Sequence, residues 1–453
     1  MEKQIFELMA DKKYGQLREV LSEMIPADIA EIFNELSESE LTVAFGILPK
    51  ELAAETFVEM DSDMQHALIT AFSDKELKEV MDQLFMDDTV DLIDEMPASV
   101  AKRIINQTDK KTRVLINQLL AYPEDSAGSI MTTEYIDLKV GMTVEDAFEK
   151  IRRIGLDSET IYTCYVVDTG RRLLGIVSVK DLLLSPKTKL IGDVMDTNII
   201  YANTHEDREE VVGLFDKYNF LALPIVDKES RLVGIVTVDD AIDVLKEEAS
   251  EDIEKMAAIL PSERSYLKTG VFETFKARIP WLLFLMISAT ITGGIISSYE
   301  NKLTMLPALI SFIPMLMGTS GNSGSQSSVT VIRALSLGDI EFKDIFKVIW
   351  KELRVGVVCG AVLCLVNFIK LYLVDYKILN NFDNGKEITE MFAVCLTLFF
   401  TVMIAKLVGS ILPIVAKKVK LDPAVMASPL VTTVLDAVSL FIYFVVAGVL
   451  IVG

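Results

Sequence analysis

The sequence predicts a multidomain membrane protein: an α-helical repeat domain resembling a short solenoid, a duplicated α/β region, a connecting helix, and an all-α transmembrane domain of five spans. Three observations predict it. Residues 1–260 carry 53 Asp and Glu against 27 Lys and Arg, whereas residues 281–453 carry 11 against 13, so an acidic soluble half is joined to an apolar one. Near the N-terminus, helix-start signatures recur at spacings of 23, 24 and 24 residues, and a strand–turn–strand pattern recurs after a further 59-residue interval. Near the C-terminus, five largely apolar stretches each approach or exceed the ~20 residues that cross ~30 Å of hydrocarbon. The 453 residues exceed one ordinary domain, and the net charge of −22 disfavours nucleic acid and favours cations.

The first region, 1–130, opens with MEKQIFELMADKKYG, which lacks the apolar core of a signal peptide. Its repeats begin at Ile25-Pro26-Ala27-Asp28, Leu48-Pro49-Lys50-Glu51, Phe72-Ser73-Asp74-Lys75 and Met96-Pro97-Ala98-Ser99. Proline fits a first helical turn, where its missing N–H would be unsatisfied anyway. Apolar residues at helical spacing follow, as in Ile29, Ile32, Phe33 and Leu36. A stack of short helices of this kind reads as a recognition or sensing surface.

In the second region, 131–248, Tyr165-Val166-Val167-Asp168 and Leu174-Gly175-Ile176-Val177-Ser178-Val179-Lys180-Asp181 recur as Pro224-Ile225-Val226-Asp227 and Val233-Gly234-Ile235-Val236-Thr237-Val238-Asp239-Asp240. Each copy is a strand, a turn, and a second strand ending in an acid that opens a helix. The pattern resembles a tandem pair of CBS domains. That resemblance implies that strand-end acids can contact a nucleotide, ATP being one, which makes Lys180, Asp181 and Asp240 candidates. The alternative is that the acids simply cap helices. Residues 241–276 read as a long charged helix that Pro261 interrupts, with Glu247, Glu248, Glu251, Asp252 and Glu254 crowded near its start. This connecting, plug-like segment, 249–278, is either a solvated face or a transmitter to the membrane half, 279–453.

The spans are expected at about 281–299, 305–335 with a break, 349–374, 391–415 and 424–452. Lys and Arg gather before the first, between the second and third, and between the fourth and fifth, while the opposite loops 297–304 and 375–390 have net charges of 0 and −2. The positive-inside rule then puts the N-terminal half in the cytosol and Gly453 outside a plasma membrane. Cysteines 164, 359, 364 and 395 form no disulfide framework, and two histidines far apart in sequence, His66 and His205, argue against a zinc site or a histidine triad.

Two stretches carry the chemistry. In the second span, Gly318-Thr319-Ser320-Gly321-Asn322-Ser323-Gly324-Ser325-Gln326-Ser327-Ser328 has no large apolar side chain and cannot face lipid. It lacks the lysine of a phosphate loop. Its small residues suit helix packing, and the Asn322 and Gln326 amides favour a cavity lining. In the fifth span, Asp436 lies one turn beyond Thr432 and Thr433 and reads as the only acid deep in any span, Glu352 lying at a cytosolic end. An intramembrane carboxylate is a functional-site hypothesis by default. Mg2+ takes six oxygen ligands at ~2.0–2.1 Å and sheds water reluctantly. Two chains, each giving one Asp436, would balance a divalent ion that keeps its water, so a homodimer is expected. The competing reading is a buried ion pair of Asp436 with Lys406. Met315, Met317 and Met426 are nearby but suit packing better than ligation.

The strings Pro314-Met315-Leu316-Met317-Gly318 through Gln326, Leu421-Asp422-Pro423-Ala424 and Pro429-Leu430-Val431-Thr432-Thr433-Val434-Leu435-Asp436, with the domain order, resemble the MgtE family of magnesium channels over essentially the whole chain. The resemblance implies a homodimeric Mg2+ channel with a pore at the interface and Asp436 facing hydrated Mg2+. It also implies cytosolic Mg2+ sensing by Asp91, Glu95, Asp239, Asp240, Asp243, Glu248, Glu251, Asp252 and Asp422. Lys406 stands where the resemblance implies a neutral polar residue. The alternative function is a proton- or sodium-coupled transporter of divalent cations, since broken helices and a lone acid also mark those. No nucleophile–base pair points to an enzyme.

Overall fold

The computed structural model of the chain describes residues 2–262, 266–267, 269–299, 310–378, 387–426 and 428–452. It divides into two compact units, Met1–Leu245 and Lys246–Gly453.

The first unit begins with short helices α1 (Glu2–Ala10), α2 (Tyr14–Ser22), α3 (Pro26–Phe33), α4 (Glu38–Gly46), α5 (Lys50–Val58), α6 (Ser62–Ala71), α7 (Asp74–Met81), α8 (Met86–Glu95), α9 (Ala98–Gln107) and α10 (Lys110–Leu119). The four repeat starts open α3, α5, α7 and α9, and each repeat holds a helix pair. Ser73 shows how a start is fixed: its N–H donates to Glu76 Oε2 at 2.8 Å while its hydroxyl accepts from the Glu76 N–H at 3.3 Å. Successive repeats stack, α3 on α5, α5 on α7 and α7 on α9. Arg103 pins the last junction by donating to the carbonyls of Ile69 and Phe72, both at 2.6 Å. Ile29, Phe33, Phe57, Leu68, Leu77 and Ile104 fill the interior, and their burial supplies most of the stability of helices too short to stand alone.

Two three-stranded sheets follow. The first is β1 (Asp137–Lys139), β2 (Thr163–Val167) and β3 (Leu173–Ser178); the second is β4 (Ala202–Asn203), β5 (Ala222–Val226) and β6 (Leu232–Thr237). In each, the first pair is parallel and the second antiparallel. Helices α11 (Val144–Ile154), α12 (Val179–Leu184), α13 (Arg208–Tyr218) and α14 (Val238–Met256) accompany them. The copies are intertwined: Thr132, from before the first, bridges Ile235 of the second, and Asp196, from before the second, bridges Ile176 of the first. One glycine in each copy makes room. A Cβ on Gly234 would lie 2.7 Å from the Thr132 carbonyl oxygen, and one on Gly175 would lie 3.0 Å from that of Asp196.

In the second unit, α14 ends at Met256, so the helix expected to reach 276 stops five residues short of Pro261, the residue expected to interrupt it. Ala258 just beyond has φ +56, a left-handed exit from a helix. A new helix, α15 (Val271–Ser298), then runs through Pro280. It is followed by α16 (Ile313–Ser336), α17 (Ile345–Lys370), α18 (Glu387–Lys418) and α19 (Ser428–Ala447). Among the described residues, four segments, Val271–Ser298, Phe342–Tyr376, Ile388–Lys418 and Pro423–Leu450, are long and apolar enough to cross a membrane by length and composition. The remaining expected span is α16, and residues 305–309, Pro307 among them, lie outside the described residues.

The break expected in that span is absent between Ile313 and Ser336. Pro314 sits in the first turn of an unbroken α-helix, and the Gly- and Ser-rich stretch is helical throughout. Small residues there satisfy the backbone within the helix and let neighbours close in. The tightest approach is between α16 and α18, where a Cβ on Gly409 would collide with the Gly324 carbonyl and one on Gly324 would collide with Leu435 of α19. We expect Gly409→Val to destabilise the membrane bundle by roughly 1–3 kcal/mol, the usual cost of overpacking, read as a lower midpoint of thermal unfolding in detergent. Gly293→Val, in α15 with nothing within 4 Å of the added Cβ, is the size-matched control. Equal midpoints for the two variants would remove the close approach as a determinant of packing.

Candidate functional site

Acidic side chains converge inside the first unit. Met86, Val90 and Ile93 turn the apolar face of α8 into the core, and this carries the acids of its first turn inward; Asp87 is only 6% exposed. Asp87 and Asp88 face Asp240 and Asp239 from the start of α14, with Glu159 and Glu134 from the first α/β copy close by and Asp243 acting on Asp240. Glu134 accepts from the Thr132 hydroxyl at 2.7 Å, and its carbonyl accepts the Glu159 N–H at 2.8 Å. Burial first, and neighbouring carboxylates second, push Asp88 up to about 7 and Glu159 up to about 8. Asp240 is raised to about 6, burial again leading, although the Thr237 hydroxyl opposes the shift. Asp87 is raised well above the usual range by its burial and by Asp240. Oxygen donors of this kind suit a hard divalent cation. No group of three His, Cys, Asp or Glu among the described residues is close enough to hold a metal ion as it stands.

The residues expected from α8 were Asp91 and Glu95, and both are exposed further along the helix. Asp87 and Asp88 were missed. The signal for them was the paired acid directly after Met86, at the buried start of an amphipathic helix.

A second acidic group belongs to the other unit. Glu248, Glu251 and Asp252 lie on the last turns of α14, and Asp422 lies in the loop between α18 and α19. Lys255 Nζ bridges Asp422 at 2.7 Å and also contacts Glu251. Asp252 is raised by burial and by Asp422.

In the membrane bundle, Asp436 is half-buried on α19, its carbonyl accepting from the Ser439 hydroxyl at 2.9 Å. Thr433 donates to the Pro429 carbonyl at 2.9 Å, and Thr432 lies 3.5 Å from the Ser325 hydroxyl of α16. A Cβ on Gly321 would meet the Thr432 methyl at 2.7 Å, so this glycine sets the α16–α19 contact. Asn322 and Gln326 lie on the exposed side of α16, away from the packed glycines and serines. One face of the stretch therefore packs helices and the other presents the amides.

Lys406 does not pair with Asp436. It is 6% exposed and donates to the Ser327 hydroxyl at 3.5 Å, and Ser327 donates to Glu352 Oε2 at 2.7 Å. Glu352 is itself 8% exposed, and Asp375 and Glu390 are buried too, so the half-buried Asp436 is not alone among the acids of this half in being shielded from solvent. Helix spacing placed Glu352 near a span end, but it could not reveal that α17 turns it toward a serine of α16. Lys180 and Asp181 are exposed at the start of α12, where Asp181 accepts from the Ser178 hydroxyl and completes a capping box. Asp240 accepts from Thr237 in the same way.

A helical-repeat and paired α/β module, joined to a bundle with buried charge and a polar helix face, defines a membrane transport protein. The family profile described as a divalent cation transporter, MgtE, matches residues 313–446, its intracellular N domain matches 24–125, and CBS domains match 127–186 and 191–247. "Magnesium transporter MgtE" of Thermus thermophilus is 36% identical over 96% of this chain and 95% of its own length. That of Bacillus subtilis is 33% identical over 97% and 95%. A solved structure titled as the cytosolic domain of the Mg2+ channel MgtE in complex with ATP is 37% identical, with a TM-score of 0.52, covering 54% of this chain and 100% of that one. The chain belongs to the MgtE family.

The carboxyl groups at α8 hold protons to a higher pH when folded than when unfolded, so the folded state binds the extra protons between the ordinary carboxylate range and about 8. Their contribution to stability is greatest below that window and is lost as pH rises through it. In divalent-free buffer, Asp88→Asn and Glu159→Gln should each flatten the fall in thermal midpoint between about pH 5 and about pH 8. A slope unchanged in both variants would show that these groups do not titrate as a strained set.

Proposed function

We propose that the protein is a Mg2+-selective channel for magnesium uptake, working as a homodimer in the plasma membrane and closed by Mg2+ bound at its acidic cytosolic groups. The observation that carries this reading is the set of polar residues on two helices in contact at Gly321: Asn322 and Gln326 on α16, and Thr432, Thr433 and Asp436 on α19. Amides and a carboxylate on a helix at bilayer depth do not face hydrocarbon, so they line water or meet another protein surface. Two copies would set two Asp436 carboxylates about one axis. That charge offsets a divalent ion, and threonine hydroxyls and amides are suited to bonding the water it keeps. Gly321 keeps α16 and α19 close enough for their polar residues to act together. The relatives carrying the name magnesium transporter support the choice of ion.

The positive loops support a cytosolic N-terminal half and an external C-terminus. Gating follows from charge. Carboxylates ~6 Å apart repel by roughly 3 kcal/mol at an effective dielectric of ~20. To the extent that they are ionised, the facing acids, Asp87, Asp88, Glu134, Glu159, Asp239, Asp240 and Asp243, with Asp91 and Glu95 on the same helix, loosen the cytosolic half when Mg2+ is scarce. Mg2+ there, and at Glu248, Glu251, Asp252 and Asp422, offsets that repulsion and favours the compact, closed state by its differential affinity. The relative solved with ATP supports a nucleotide on the CBS pair as well, with Lys180 and Asp181 within its reach.

Asp436→Asn, confirmed to assemble normally, should abolish Mg2+ flux into liposomes; retained flux and selectivity would refute the pore role. Wild-type flux should need no imposed proton or sodium gradient, and a strict requirement for one would favour the coupled transporter. Limited proteolysis of the full chain should show protection of the cytosolic half that grows with millimolar Mg2+, whereas identical digests would count against the gate.

A further inference from the structure

Resting on the gating reading, we propose that Lys255 is a tethered counter-cation which competes with Mg2+ for the carboxylates of Glu251 and Asp422 and so sets the Mg2+ concentration at which the channel closes. The ammonium already occupies the position a cation would take: it bridges Asp422 Oδ2 at 2.7 Å and touches Glu251, one turn back on the same helix. Both carboxylates are used by it, and Asp252, also acted on by Asp422 and Glu248, completes the negative surroundings. These oxygens are the hard donors Mg2+ takes, but Mg2+ cannot share them with an ammonium at contact distance, since the two cations repel. Binding therefore includes the cost of breaking the Lys255 bridges. The side chain remains attached, so its local concentration at the two carboxylates is high.

The position of the bridge gives it a functional consequence. Asp422 lies six residues before Ser428, where the helix bearing Asp436 begins, and Lys255 lies on the last turn of the helix that leaves the CBS pair. One ammonium thus ties the regulatory helix to the entry of the pore helix in the Mg2+-poor state. Mg2+ replaces a monovalent tie with a divalent one.

Two measurements on the full-length protein test this. Neutralising Lys255 without shortening it, as Lys255→Gln, should lower the cytosolic Mg2+ giving half-maximal inhibition of flux by about fivefold, the loss of one unit charge near contact in water-like surroundings. Lys255→Arg should stay close to wild type. An unchanged threshold in Lys255→Gln would overturn the proposal. The second readout does not use flux. A carbodiimide should condense Lys255 with Asp422 into an amide, with loss of water, and the cross-linked peptide should be seen by mass spectrometry. At constant ionic strength, millimolar Mg2+ should suppress that product, and a yield indifferent to Mg2+ would overturn the competition. Suppressed cross-linking together with flux that ignores Mg2+ would leave the competition standing and remove the gating reading instead.

Discussion

Negative charge placed where water cannot fully screen it is the constraint on which both units depend. A carboxylate taken from water must find a cation, a set of hydrogen-bond donors or a proton. The chain uses each solution in a different place. At Lys255 a cation from the same helix meets Glu251 and Asp422. At Glu352 a serine hydroxyl intervenes between the acid and the buried Lys406. At α8 the neighbours acting most strongly on Asp88 and Glu159 are other carboxylates, and protons are retained toward neutral pH.

The fold was legible in the sequence wherever local chemistry decides it. The repeat starts at Pro26, Pro49, Ser73 and Pro97 mark real helix ends because a first turn has unsatisfied N–H groups, which proline and serine accommodate. The duplicated strands were equally plain. Their intertwining was not, because a Thr132–Ile235 bridge joins residues more than a hundred positions apart, and only the paired Gly175 and Gly234 hint at a crossing segment. The end of α14 was misjudged for a related reason. Pro261 is the obvious breaker, yet the helix stops at Met256 and Ala258 takes the left-handed conformation without a glycine to announce it.

The membrane site shows the limit more sharply. Composition alone offers packing and a cavity as rivals for the 318–328 stretch. They become compatible once the stretch is a continuous helix, because a 3.6-residue period puts Gly321 and Gly324 on one face and Asn322 and Gln326 on another. Close packing on one side then orients the amides on the other. Hydropathy could rank Asp436 as costly, but it could not tell that Glu352 is buried too, since that depends on which way α17 is turned by its neighbours. Charge and period locate acids along a chain, whereas pairing depends on helix rotation.

The three solutions to buried charge also differ in what they leave for an added ion. The Glu352 network is closed: Ser327 donates to the acid and accepts from Lys406, so a divalent ion entering there would have to displace a buried ammonium from a low-dielectric interior. The carboxyl groups facing α8 hold exchangeable protons toward neutral pH, so a divalent ion binding there would have to displace protons rather than a lysine. The Lys255 site is intermediate, with a cation present but only on a flexible tether and partly open to solvent. Under the proposed gating, sensitivity to Mg2+ would follow that order of exclusion: greatest at the α8 acids, tuned at Lys255 and negligible at Glu352. Under the same gating, a chain that responds to the ion it conducts would gain from this separation, because its sensing acids would be those not already neutralised by a lysine fixed in the bundle.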